Sequence, residues 1–85
     1  MTSLIFGYGV TGQSFDRYLT KNGIKFDIYD VKHVDHPNAF SKLPSKEKLQ
    51  SYEMVYMSPG IKILELYPNK EFQGVNIKTD VDNFI

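Results

Sequence analysis

Gly7-Tyr8-Gly9-Val10-Thr11-Gly12 follows the apolar run Leu4-Ile5-Phe6 directly and opens a helical pattern. Asp30 closes the next apolar run, 18 residues after Gly12. Strand, G-x-G-x-x-G turn, helix, strand and acid, in that order, are the layout of a nucleotide-binding βαβ unit. Each glycine has its own steric task in such a turn. Gly7 lets the chain turn tightly out of the strand, and Gly9 lets backbone approach a phosphate with no Cβ between them. Gly12 lets helix and strand pack closely. The N–H groups of Val10, Thr11 and Gly12 would then meet an anion at the positive end of a helix dipole. The plainer alternative is three turn glycines without a ligand. A lone glycine pattern carries little weight, but here strand, helix and acid accompany it.

Residues 2–6 read as a buried first strand. Residues 10–22 read as a helix whose inner stripe is Phe15, Tyr18 and Leu19, completed by Thr11 and Asn22. Gln13, Asp16, Arg17, Thr20 and Lys21 fall on the solvent side. Gly23 is placed to take the left-handed position after the helix. Residues 25–29 form the second strand, with Phe26 and Ile28 on one face. Residues 54–57 form a third with little polar content, which suits the centre of a parallel sheet. Ser58-Pro59-Gly60 stops it, and residues 75–77 read as a fourth short strand.

Residues 31–52 are punctuated by Pro37 and Pro44, and Ser45 is expected to cap a short helix over residues 46–50. A further short helix over residues 61–67 should pack through Ile61, Leu64 and Leu66 or Tyr67, before Pro68 ends it. From Thr79 or Asp80 a last helix begins and stops at Ile85. The expectation is therefore a piece of a longer protein, its N-terminal domain. The fold class that follows is α/β: a Rossmann-like parallel sheet of about four or five strands with flanking helices. The strand from Thr2 should lie beside those from Lys25 and Met54.

At 85 residues the chain is one domain. Ten basic residues balance ten acidic ones, so no global field attracts nucleic acid or anionic lipid. The absence of cysteine excludes disulfides, thiolate catalysis and cysteine zinc sites. No run approaches the roughly 20 apolar residues of a membrane span, and the opening residues lack a signal-peptide pattern. The expected location is the cytoplasm. His33 and His36 lack further His or Cys ligands and read as a solvated loop, so no metal site is expected. No catalytic constellation is evident. No G-x-x-x-x-G-K-[ST] loop occurs, so ATP has no site of that kind in these residues.

Two further segments converge on the glycine loop in a sheet of this topology. Asp30, at the carboxyl end of the second strand, can accept hydrogen bonds from a ribose or a base; alternatively it caps the segment that follows. Lys32 either covers the ligand or is solvated. The Ser58 hydroxyl and the Gly60 N–H would line the same crevice, unless Ser58-Pro59-Gly60 is an ordinary turn.

Four features in order extend the reading. They are Gly7-Tyr8-Gly9-Val10-Thr11-Gly12-Gln13-Ser14, Ile28-Tyr29-Asp30, Met57-Ser58-Pro59-Gly60-Ile61 and Thr79-Asp80-Val81-Asp82-Asn83-Phe84. With them the chain resembles, over nearly its whole length, the N-terminal domain of the MurD family. These are the UDP-N-acetylmuramoyl-L-alanine:D-glutamate ligases of peptidoglycan-precursor synthesis. The resemblance implies a three-domain ligase whose first domain holds the UDP part of UDP-N-acetylmuramoyl-L-alanine. ATP and Mg2+ would be used by a central domain, and a third would help bind D-glutamate. It further implies that Val10 and Thr11 hold the diphosphate, that Asp30 and Val31 meet the uracil with Lys32 near it, and that Ser58 and Gly60 close the other side. Val31 stands where a hydroxyl residue often appears, and Lys32 where arginine does; lysine has no planar head to stack on a pyrimidine. No further cofactor is implied for this domain, and a monomer is expected. Two other readings compete: an NAD-binding module, and a non-catalytic regulatory domain that keeps the fold without ligand chemistry.

Overall fold

The computed structural model describes residues 2–58 and 60–79. Along them run β1 (Ser3–Phe6), α1 (Val10–Lys21), β2 (Phe26–Tyr29), β3 (Ala39–Phe40), α2 (Lys46–Gln50), β4 (Val55–Met57), α3 (Ile63–Leu66) and β5 (Ile77–Lys78). The strands make one sheet of order β3-β2-β1-β4-β5, and every neighbouring pair is parallel. β1 lies at the centre, with Ile5 opposite Ile28 on one side and Tyr56 on the other. The fold is thus α/β and Rossmann-like, as the sequence predicts.

All four residues of β1 are buried, because helices cover both faces of the sheet. Alternation along each strand sorts the side chains. Ile5, Phe26, Ile28 and Tyr56 face α1 and pack with Phe15 and Leu19. Leu4, Phe6, Tyr29, Val55 and Met57 face the opposite side and pack with Leu49 of α2, Tyr52 and Tyr67. Phe15 and Leu19 are fully buried, each contributing about 1.5–3 kcal/mol. The Phe15 ring lies 5.0 Å from that of Tyr56, and the Phe6 ring 4.7 Å from that of Tyr29.

Helix ends follow the local chemistry. Gly23 takes φ +67°, its N–H donates to Thr20 O, and the Ile24 N–H donates to Leu19 O. These two bonds are a Schellman closure, which needs the left-handed residue at Gly23. Asn22 is exposed rather than part of the inner stripe, and its amide donates to Tyr18 O. Ser45 Oγ accepts from the Lys48 N–H, as a capping serine should.

Elsewhere the elements differ from expectation. β3 was hidden in residues 31–52, because two residues cannot display a period. It pairs in parallel with β2 although residues 30–38 contain no helix; the Ile28 N–H donates to Asn38 O instead. β5 comes later than residues 75–77. The Val75 N–H closes a turn on Phe72 O beside Gly74 at φ +82°, and pairing starts where the Val55 N–H meets Asn76 O. α3 is shorter than expected; Ile61 and Tyr67 pack inward as expected, but Ile63 takes the place given to Leu64. Tyr67 is buried, with its hydroxyl donating to Pro44 O at 2.7 Å, which turns Ile63 inward and leaves Leu64 60% exposed. The helix expected from Thr79 or Asp80 lies outside the described residues.

Across the sheet, the Tyr52 hydroxyl donates to Asp27 Oδ2 at 2.8 Å. Burial first, then this bond and the Asp27 charge, push the Tyr52 hydroxyl well above the ordinary tyrosine value. Burial does the same for Tyr67. The unfolded chain therefore loses these protons first. Their stabilisation is complete below about pH 10 and is lost as the pH rises from there toward the folded-state values. Denaturant titrations should show a flat urea midpoint from pH 7 to 9 and a fall above pH 10. Tyr52→Phe should cost about 1 kcal/mol at neutral pH and make the alkaline fall shallower.

Candidate functional site

β1 and β4 are neighbours, but the chain leaves them toward opposite faces. After β1 it enters α1, whose residues pack on the Ile5 side. After β4 it runs to α3 and Tyr67, on the Leu4 side. This divergence opens a crevice at the carboxyl ends of the strands, the switch point of an open α/β sheet.

The three glycines around it stand in different settings. Gly7 has φ +95°, and a Cβ there would stand 2.8 Å from Ile61 Cδ1. Gly12 lies against the loop itself, where a Cβ would be 2.1 Å from the Gly7 carbonyl oxygen. Gly9 differs from both. It is extended at φ −85°, and no atom lies within 4 Å of where its Cβ would be. Gly9 is also the N-cap of α1, and its carbonyl accepts the first helical bond, from the Gln13 N–H at 2.9 Å. The N–H groups of Val10, Thr11 and Gly12 thus precede the ladder of α1. Val10 is 84% exposed there.

Asp30 closes the loop from β2. Its Oδ2 accepts the Tyr8 N–H at 2.7 Å and its Oδ1 the Lys32 N–H at 2.9 Å. The same carboxylate therefore bridges the glycine loop and the start of the next segment, the capping role weighed for it. Each oxygen retains a lone pair for another donor. Lys32 is exposed, and Val31 stands 77% exposed at the crevice edge. Ser58 borders Gly7, with its Oγ 3.6 Å from the position a Gly7 Cβ would take, and its carbonyl accepts the Ile61 N–H. Gly60 is exposed, and Pro59 lies outside the described residues.

A crevice of about 230 Å³ is lined by Phe6, Gly7, Tyr29, Asp30, Val31, Ile61 and Leu66. Gly7, Asp30 and Val31 belong to the expected set; the apolar walls do not. Ile61 was legible as the residue after the turn, whereas nothing in the spacing sends Leu66 there. Tyr8 was also missed. Its hydroxyl donates to Asp16 Oδ2, and that bond, followed by burial and the Asp16 charge, raises the hydroxyl to about 12. Asp16, expected in solvent, is half-buried because it accepts this bond and another from Thr20.

His36 Nδ1 accepts the Asn38 N–H, and its ring faces Phe26 at 5.7 Å. Among the described residues no group of three or more His, Cys, Asp or Glu is arranged to hold a metal ion. None of their helices is long and apolar enough to cross a membrane. No protein-family model matches the chain, and no curated protein matches it.

The contrast between Gly12 and Gly9 is directly measurable. Gly12→Ala drives a methyl group into a backbone carbonyl and should cost about 3 kcal/mol in chemical denaturation. Gly9→Ala, with open space around it, should cost less than about 1 kcal/mol.

Proposed function

We propose that this chain binds the UDP moiety of UDP-N-acetylmuramoyl-L-alanine, as the substrate-binding domain of a ligase that adds D-glutamate to it. The observation that carries the binding reading is Gly9. Gly7 and Gly12 are explained by the protein's own packing and backbone. Gly9 is not: its φ is negative and the space beside it is empty. Beyond its place as the N-cap of α1, the open space leaves the backbone at Gly9 free to be approached from outside the chain. The neighbouring N–H groups of Val10, Thr11 and Gly12 suit an anion in that space.

The crevice suits the other end of the ligand. At about 230 Å³ it falls below the roughly 300–1,000 Å³ of ordinary small-molecule sites, so it takes one part of a ligand and leaves the rest on the open loop. Phe6, Tyr29, Ile61 and Leu66 offer apolar walls to a planar base, and Asp30 offers a carboxylate to an imide N–H. The order of the four sequence features supports the ligase in particular. In this reading the activity is cytoplasmic, and Ser58, Gly60 and Lys32 would meet the ligand beyond the crevice, whose walls they do not form.

ATP and Mg2+, which the resemblance implies for the whole enzyme, would be held by its central domain. The sequence here has no G-x-x-x-x-G-K-[ST] loop. The chain alone is expected to bind and not to ligate.

Titration calorimetry at matched salt tests the reading. UDP should bind more tightly than NAD, weakly in absolute terms because the contacts of further domains are missing. Gly9→Val should abolish UDP binding while the chain stays folded. Tighter binding of NAD, lost in Asp30→Ala, would replace this reading with a dinucleotide module. A folded Gly9→Val variant that keeps full UDP affinity would reduce the loop to a turn.

A further inference from the structure

Tyr8 sits between the two glycines of the loop tip and is held at both ends. Its ring packs against the cluster formed by Ile5, Phe15 and Ile28. Its hydroxyl donates to Asp16 Oδ2 at 2.5 Å, and Asp16 Oδ1 accepts from Thr20 Oγ1 at 2.9 Å. Its N–H donates to Asp30 Oδ2 at 2.7 Å.

We propose that Tyr8 is a positioning residue, strung between the carboxylates of Asp16 and Asp30, that holds residues 7–9 in an anion-receiving shape before any ligand arrives. What the loop receives rests on the nucleotide reading; the brace itself does not.

Three physical effects favour the brace. Gly7 and Gly9 flank Tyr8, and glycine backbone loses the most conformational freedom when it is ordered. A loop of this composition left untied would be ordered by its ligand, at the expense of affinity. Tyr8 removes that demand by fixing the one residue between them to the core, to α1 and to β2. The second effect is charge. Two carboxylates beside an anion site oppose the anion, so neither is well placed as a bare charge there. Each instead accepts two donors from the protein: Asp16 from Tyr8 and Thr20, Asp30 from Tyr8 and Lys32. Charge-assisted bonds of this kind are the strong ones. The third effect is direction. The Tyr8 hydroxyl points to α1, while the loop's own N–H groups at residues 10–12 belong to the first turn of that helix. Fixing Tyr8 on Asp16 therefore sets the loop against the helix that supplies the anion's donors.

The test combines a ligand-free measurement with binding. Tyr8→Phe keeps the ring and the N–H and removes only the bond to Asp16; Asp16→Ala removes the acceptor. In either variant the ¹⁵N order parameters of residues 7–10 should fall from the rigid range, about 0.85, to below about 0.6. Those of Leu4, Ile5 and Ile28 should not change. UDP affinity should drop about five- to tenfold in each variant, and no further in the double variant. Unchanged order parameters in both variants would overturn the proposal, and so would affinity losses that simply add. If the unaltered chain does not bind UDP, the nucleotide reading falls, and the order parameters alone decide the brace.

Discussion

The absence of a side chain at Gly12 lets the first turn of α1 press against the Gly7 carbonyl, and the rest of the molecule is arranged around that contact. A Cβ would come within 2.1 Å of the oxygen, so helix and loop can be this close only with hydrogen at that position. The closeness directs α1 back along β1. From there Phe15 and Leu19 fall on Ile5, Ile28 and Tyr56 and complete one layer of the core. The same contact holds the loop beneath the N-terminus of α1, where donors outnumber acceptors. One packing constraint thus builds the fold and the candidate site together.

The second layer depends on tyrosines rather than on long helices. α2 and α3 are short, with five and four residues. Such helices hold little of their own structure in water. Tyr52 and Tyr67 supply what they lack. Each buries a ring in the core and delivers its hydroxyl to a defined acceptor, Asp27 and Pro44 O respectively. A large apolar body with one satisfied polar tip suits a small domain, where every buried group must carry more of the stability.

The site follows a similar economy. Its polar groups hold each other before they hold anything else: Asp30 on the Tyr8 and Lys32 N–H groups, Asp16 on Tyr8 and Thr20. Groups held in this way would lose little further freedom if a charged ligand settled on the shallow, open surface. It also shifts the meaning of Asp30. In the sequence it looks like a ligand contact; in the structure its first task is to join β2 to the glycine loop.

The parallel sheet, the central position of β1, the length of α1 and the cap at Ser45 were all legible in the sequence. Each is written in short-range terms, as apolar runs, helical spacing, Gly23 after the last periodic residue and a serine three residues before its N–H donor. Gly7, Gly9 and Gly12 were legible as a pattern, but only the folded chain shows that Gly7 and Gly12 are held by close packing while the space beside Gly9 is open. β3 and the start of β5 were decided by tertiary pairing, since two-residue strands have no period and exist only where a neighbour offers hydrogen bonds. The inward face of α3 was decided by the acceptor that Tyr67 reaches on Pro44, 23 residues away in sequence. The brace on Tyr8 joins residues 8, 16 and 30, and the crevice walls join residues 6, 29, 61 and 66. Such sets have no spacing to read. Local sequence determines which element a residue belongs to, whereas the partner of a side chain depends on which elements the folded sheet brings side by side.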